Sequence, residues 1–280
     1  MPKERADIDP GYWPWSLEHP DHALFVRKFF TSYTNQAVAV GKLAQAEGVE
    51  MYSLGTETER LFRTRTGGRW PNDFKKELAN MVDAVREVYG GLLTYDMASD
   101  AVSTANDFYG PGSSYLFHDL KLDIIGVSAY FPLNDSVPGA VPTVPDLENK
   151  WQGIFKRYLS PHKLRNYNLP MIFLEFGYVD SVDAVVRPAN DELAQRTFLD
   201  RDKNGLDDGQ ETQANVYQAF FNVMQAYQDL LNGAFLWGMT MADDRLWNSF
   251  SQTGATKREF SVRGKLAEKV VRDVYATWRD

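Results

Sequence analysis

Residues 170–178 read Pro170-Met-Ile-Phe-Leu-Glu175-Phe-Gly-Tyr178, and their reading decides the fold. Four apolar residues run directly into a carboxylate, with a Phe-Gly-Tyr turn behind it. A short continuous apolar run predicts a strand buried on both faces, as in a parallel sheet. Nothing inside such a strand favours a charge, so Glu175 belongs where the strand emerges. In α/β folds the carboxyl ends of the strands collect ligands and catalytic groups. The plain alternative for Glu175 alone is a salt bridge or a helix cap.

Working outward, four more strands are predicted: 49–54, running into Gly55-Thr56-Glu57, then 92–96, 123–130 and 233–239. Between them apolar residues recur at three- and four-residue steps, as amphipathic helices require. The predicted helices are 23–47, ended by Gly48, then 72–89, 115–121, 147–158, 213–231, and a closing helix from Ser261 with Val262, Leu266, Val270, Val274 and Trp278 on one face. Long loops are expected at 98–114 and 131–145. Strands alternating with helices imply right-handed βαβ units and a parallel sheet. No repeat or composition break marks a boundary, so residues 1–280 are expected to form one domain.

Bulk properties exclude several functions. The chain has 280 residues, 44% of them hydrophobic, enough for a substantial core. Its net charge of −8 argues against a nucleic-acid partner. Cysteine is absent, which removes disulfides, thiolate metal sites and thiol nucleophiles. His19, His22, His118 and His162 do not fall in a zinc-ligand spacing. No apolar run reaches the roughly 18–20 residues of a membrane span, so no membrane partner is expected. The first residues lack the apolar core of a signal peptide, which leaves a cytoplasmic protein or a processed or trimmed secreted one. Aromatic residues make up 14% of the chain, which suits a protein that stacks flat ligands such as sugars. The cluster Tyr12-Trp13-Pro14-Trp15 is hard to bury as a group, so Trp13 and Trp15 are candidate substrate contacts.

Two predicted strands end in glutamates, Glu57 and Glu175. Two carboxylates across one bond are what glycoside hydrolysis needs, one as proton donor and one as nucleophile or base. Tyr130 and Trp237 lie at two further strand ends. A tyrosine can hydrogen-bond a nucleophilic carboxylate and a tryptophan can floor a sugar site, although core packing is the ordinary role of either. Asp96 and Tyr178 complete the candidate substrate-binding set.

Here the sequence resembles the clan A glycoside hydrolases, the retaining TIM-barrel enzymes, and most of all the family-113 β-mannanases. Leu54-Gly-Thr-Glu57 resembles that family's fourth-strand segment, which implies that Glu57 is the acid/base. Phe173-Leu-Glu-Phe-Gly-Tyr178 resembles its seventh, which implies that Glu175 is the nucleophile. Ile125-Gly-Val-Ser-Ala-Tyr-Phe-Pro132 resembles the sixth strand, Gln213-Ala-Asn-Val-Tyr217 the seventh helix and Gly233-Ala-Phe-Leu-Trp237 the eighth strand. The fold implied is an α/β, TIM-barrel-type domain, and the catalysis implied needs no cofactor. Tyr95-Asp96-Met97 departs from the family, where a neutral residue followed by Asn-Trp is expected, and weakens the case for mannan. Only 56 residues precede Glu57, too few for three βα units. The expected fold is therefore truncated to about five strands, equivalent to four to eight. An open sheet exposes edges and the barrel interior, which predicts a homodimer or higher assembly covering them. The rival reading is a non-catalytic sugar-binding or degenerate barrel.

A last motif is Asp200-Arg-Asp202-Lys-Asn204-Gly205-Leu206-Asp207-Asp208-Gly-Gln-Glu211. Oxygen side chains at positions 1, 3, 5, 9 and 12, with Gly at 6, match a twelve-residue calcium loop. The expected ligands are Asp200, Asp202, Asn204, Leu206 through its carbonyl, Asp208 and Glu211, around a structural Ca2+ in an insertion at about 198–212. Asp207 at position 8 departs from the usual apolar residue of paired EF-hands. The alternatives are a solvated acidic loop or an unrelated metal-dependent enzyme.

Overall fold

The computed structural model describes residues 22–57, 74–103, 116–189, 198–238 and 260–277. Trp13, Trp15 and Trp278 lie outside the described residues. Among the described residues there are five strands: β1 Met51–Thr56, β2 Leu92–Ala98, β3 Ile125–Ser128, β4 Met171–Phe176 and β5 Gly233–Leu236. They form one sheet in chain order, with β1–β2 and β4–β5 parallel. This is the expected TIM-barrel-type α/β architecture. The chain divides into two compact units, Met1–Val127 with His162–Met171, and Ser128–Pro161 with Ile172–Asp280.

In the first unit, α1 (His22–Ala46) packs on α2 (Phe74–Arg86). Phe30, Ala37 and Ala44 of α1 are buried, as are Leu78, Met81, Val82 and Val85 of α2. The predicted 98–114 loop contains a short helix, α3 (Ser99–Ser103), and α4 covers Leu116–Asp119. β3 is half its expected length, and ahead of it the Asp123 amide still donates to the Leu93 carbonyl at 2.9 Å while its side chain is engaged as well. Its Oδ2 accepts from the Leu93 amide at 2.7 Å and from the Arg86 guanidinium.

In the second unit, α5 (Val144–Ile154) starts earlier than expected. Thr143 is its N-cap, accepting from the Asp146 amide, and Pro145 sits in the first turn, where a missing N–H costs nothing. The helix also runs past its expected end, through a π turn, Phe155–Leu159, into α6, Ser160–Arg165. α7 spans Asp208–Ala226, five residues ahead of the predicted start, because Asp207 caps it by accepting from the amides of Gly209 and Gln210. α8 covers Leu266–Thr277. The core is aromatic. Phe220 of α7 stacks on Phe176 at 4.0 Å and on Phe173 at 5.7 Å, and Trp151 of α5 lies 5.2 Å away. All four are fully buried.

His162, in the first unit, is also fully buried, edge-on to Phe117, and neither ring nitrogen has a hydrogen-bond partner among the described residues. Burial, reinforced by the Arg165 cation, pushes its pKa down to about 3. The unfolded chain takes up that proton near pH 6.5, so this contribution is intact above about pH 6.5 and is lost as pH falls toward 3. The loss at pH 5 is about 2 kcal/mol. Urea midpoints at pH 8 and pH 5 will therefore differ less in His162→Leu than in the natural sequence; equal differences would overturn this account.

Candidate active site

In the second unit the site is built from the end of β4 outward. Regular alternation would place Glu175 on the face that carries Phe173, against α7. Instead Phe173 and Phe176 both stack on Phe220. The register shows how: β4 advances from Phe173 to Phe176 while β5 advances only from Ala234 to Leu236. One extra residue in β4 makes a bulge, and bulges re-aim side chains. Glu175 is thereby released from the aromatic core and half-buried. Its carbonyl accepts from the Ala129 amide at 2.7 Å, and its Oε2 accepts from the Tyr130 hydroxyl at 2.9 Å. A hydroxyl donor on one carboxylate oxygen fixes its orientation.

Around this pair the backbone is tightly packed. The Trp237 amide donates to the Phe176 carbonyl at 2.8 Å, and the indole is 47% exposed, open enough to stack on a ligand. A Cβ on Gly177 would lie 2.9 Å from Phe260 Cδ1 and 3.4 Å from Trp237 Cβ. Glycine is needed there for the Phe260 ring to approach the turn.

Tyr178 takes a place other than the one expected of a substrate contact. It is fully buried, and its hydroxyl donates to the Phe131 carbonyl at 2.5 Å. Burial raises its pKa well above the ordinary tyrosine value. Its side chain points inward because the turn after Phe176 returns it to the core beside Trp151.

In the first unit Glu57 stands one residue beyond β1. The same device recurs: β1 advances from Ser53 to Thr56 while β2 advances from Thr94 to Asp96. The Leu54 carbonyl, inside this irregularity, accepts from the Tyr33 hydroxyl of α1 at 2.8 Å. Burial pushes the Tyr33 pKa up to about 12, so the hydroxyl stays a donor throughout the neutral range. A Cβ on Gly55 would sit 2.5 Å from that oxygen, which accounts for glycine in Leu54-Gly-Thr-Glu57. Glu57 itself has a left-handed backbone, φ 52°, with its amide donating to the Asp96 carbonyl at 2.8 Å. That conformation costs on the order of 1 kcal/mol for a residue with a Cβ. Asp96 is 2% exposed, and its backbone carbonyl anchors Glu57.

The acidic loop lies in the second unit. Carboxylate oxygens of Asp200, Asp202 and Asp208 fall within 4.8 Å of one another. Lys203 and Gly205 adopt left-handed backbones, φ 60° and 87°, that wind the loop tightly. The Asp200 carboxylate accepts from the amides of Asn204 and Gly205, and Asn204 Nδ2 donates to Glu211 Oε1 at 2.9 Å. Leu206 is exposed at position 7. Arg201 donates to the carbonyls of Pro138 and Gly139, so the loop is tied to the segment after β3.

Phe260 was not singled out from the sequence. It belongs to no motif, and only its packing against Tyr130, Gly177 and Gly238 marks it.

Comparison with known proteins adds a family. A profile described as Glycoside Hydrolase Family 113 matches residues 16–265. The fold is similar to that of a GH113 β-1,4-mannanase solved as a complex, at 21% identity and a TM-score of 0.57, covering 88% of this chain and 62% of that one. It is similar also to the GH113 β-mannanase AaManA from Alicyclobacillus acidocaldarius in complex with ManMIm, at 19% identity and a TM-score of 0.61, covering 89% and 63%. The chain thus spans under two thirds of the length of either structure. No curated protein matches it.

Proposed function

The chain belongs to glycoside hydrolase family 113, and from that premise we propose that it is a retaining glycosidase acting on β-mannan, a β-mannoside or a related β-glycoside. The observation that carries this reading is the half-buried Glu175, at a strand end and fixed by the Tyr130 hydroxyl at 2.9 Å. Glu175 attacks the anomeric carbon as the bond to the leaving oxygen breaks, and Glu57 gives that oxygen its proton. A covalent glycosyl-enzyme results. The Glu57 carboxylate then takes a proton from water, whose oxygen displaces Glu175 with net retention. Tyr130 holds one oxygen of Glu175 and so orients the carboxylate for attack, and Trp237 offers its open face to the sugar ring.

The same reading gives the acidic loop a structural Ca2+, held by Asp200, Asp202, Asn204, the Leu206 carbonyl, Asp208 and Glu211. Clustered carboxylates repel one another, and a hard cation bound by oxygen ligands removes that repulsion. Its part is to brace the segment that Arg201 grips, with no role in bond breaking. For the assembly, the proposed partner is a second copy of the chain that covers the open edges of the sheet.

Glu175→Gln will abolish turnover of aryl β-glycosides, and retained turnover would refute the nucleophile. Glu57→Ala will slow poor leaving groups far more than activated ones, because only the former need the proton; equal losses would remove the acid role. An inactive natural chain that still binds oligosaccharide would favour the binding-only barrel. For calcium, a hundredfold excess over Kd stabilises by about 2.7 kcal/mol, so the unfolding midpoint will rise with Ca2+ and fall with EGTA, and Asp200→Ala will erase the difference. An unresponsive midpoint would dismiss the ion. Sedimentation velocity at micromolar concentration will show a two-copy mass, and a single-copy mass would end the dimer proposal.

A further inference from the structure

We infer that Phe260 is a positioning residue that sets the Tyr130 hydroxyl on Glu175; this rests on the glycosidase reading only for its kinetic consequence. The ring of Phe260 lies 5.8 Å from that of Tyr130 at an interplanar angle of 58°. Tyr130 donates to Glu175 Oε2 at 2.9 Å. A tyrosine side chain has two soft torsions, so a hydroxyl at its tip is placed only as well as its ring is packed. Phe260 supplies packing on that ring.

Phe260 itself is fixed from three sides. A Cβ on Gly238, which has φ +72°, would lie 2.8 Å from Phe260 Cβ, and one on Gly177 would lie 2.9 Å from Phe260 Cδ1. Two glycines on separate turns thus leave a slot that the phenyl group occupies, and the slot abuts the residue after β4 and the residue after Trp237. The third hold is on the main chain. Gln213, fully buried in α7, donates through Nε2 to the Phe260 carbonyl at 3.1 Å and to the Tyr178 carbonyl at 2.8 Å. Five residues on, Lys265 pairs with the buried Asp180 at 3.3 Å. The segment 260–265 is therefore anchored at both ends on the chain that follows Glu175. A residue tethered so firmly, with its ring tilted against the tyrosine that orients the nucleophile, transmits the rigidity of α7 to the reacting carboxylate.

The test uses the full chain with Phe260→Leu, Tyr130→Phe and the double variant, each checked for a cooperative melt. A misplacement of about 1 Å at a reacting group costs up to about a hundredfold, so Phe260→Leu is expected to lower kcat on an aryl β-glycoside by about ten- to a hundredfold with KM nearly unchanged. In the Tyr130→Phe background the same change will cost under about twofold, since the hydroxyl it serves is gone. Phe260→Tyr keeps the ring and will keep most of the rate. Fully additive losses, or an unchanged kcat in a folded Phe260→Leu, would overturn the inference. Should Phe260→Leu not fold, Gly177→Ala pushes the same ring and is expected to give the same loss and the same coupling to Tyr130. A crystal structure of either variant separates the two readings. Tyr130 Oη displaced beyond hydrogen-bond distance of Glu175 supports the positioning role even if no glycoside is hydrolysed. A contact kept at 2.9 Å disproves it even in an active enzyme.

Discussion

Two aromatic rings on one strand, three positions apart, both rest on the same ring of α7. Phe173 and Phe176 stack on Phe220 at 5.7 and 4.0 Å. A regular strand repeats every second residue and cannot satisfy both contacts. Burial of three phenylalanines is worth several kcal/mol, at about 1.5–3 kcal/mol each, and far outweighs the few hydrogen bonds disturbed by one bulge. The strand accordingly takes in one extra residue, and Glu175 leaves the face it would otherwise share with Phe173. The exposure of the carboxylate follows from packing on the opposite side of the sheet. The same packing fixes its height, because the Ala129 amide and the Trp237 amide grip the carbonyls of Glu175 and Phe176 on either side.

The first unit reaches a similar end by a different balance. There the irregularity in β1 is secured by hydrogen bonds from the Tyr33 hydroxyl to the Leu54 carbonyl and from the Ser53 hydroxyl to the Gly55 carbonyl, and by the lack of a side chain at Gly55. Glu57 then accepts a left-handed backbone whose cost is offset by its amide bond to Asp96. In both units the register break comes just before or at the carboxylate. Strand ends carrying chemistry are where regular pairing is given up, since a group held fully in the ladder has no freedom to meet a ligand.

Support for the carboxylate in the second unit comes mainly from buried amides and rings. Gln213 holds two carbonyls, Asp207 caps the helix that carries it, and the acidic loop closes directly on that cap through the Leu199 amide to Asp207 and the Asp208 amide to Leu199. An ion in the loop would thus act on the start of α7, the helix that carries Phe220 and Gln213. The loop and Glu175 are connected through one rigid element.

The sequence by itself determined the order of strands and helices, the two glutamates at strand ends, the calcium-loop pattern and the family. Each of these is local: an apolar run, a helical period, or a short motif read within a dozen residues. It also carries signals beyond apolar periodicity, such as Asp207 as an N-cap and Thr143 ahead of Pro145, which set two helix starts. The tertiary structure alone decided the rest. The bulges exist because distant rings compete for one face, so no strand shows its own. Tyr178 turns inward and Asp96 is covered because of what packs on them. Phe260 lies more than 80 residues along the chain from Glu175 and in no motif, and its place beside Tyr130 is set by two glycines and a buried glutamine that only the folded chain brings together. Side-chain type specifies which chemistry is possible, but register and packing, which are long-range, specify where it is aimed.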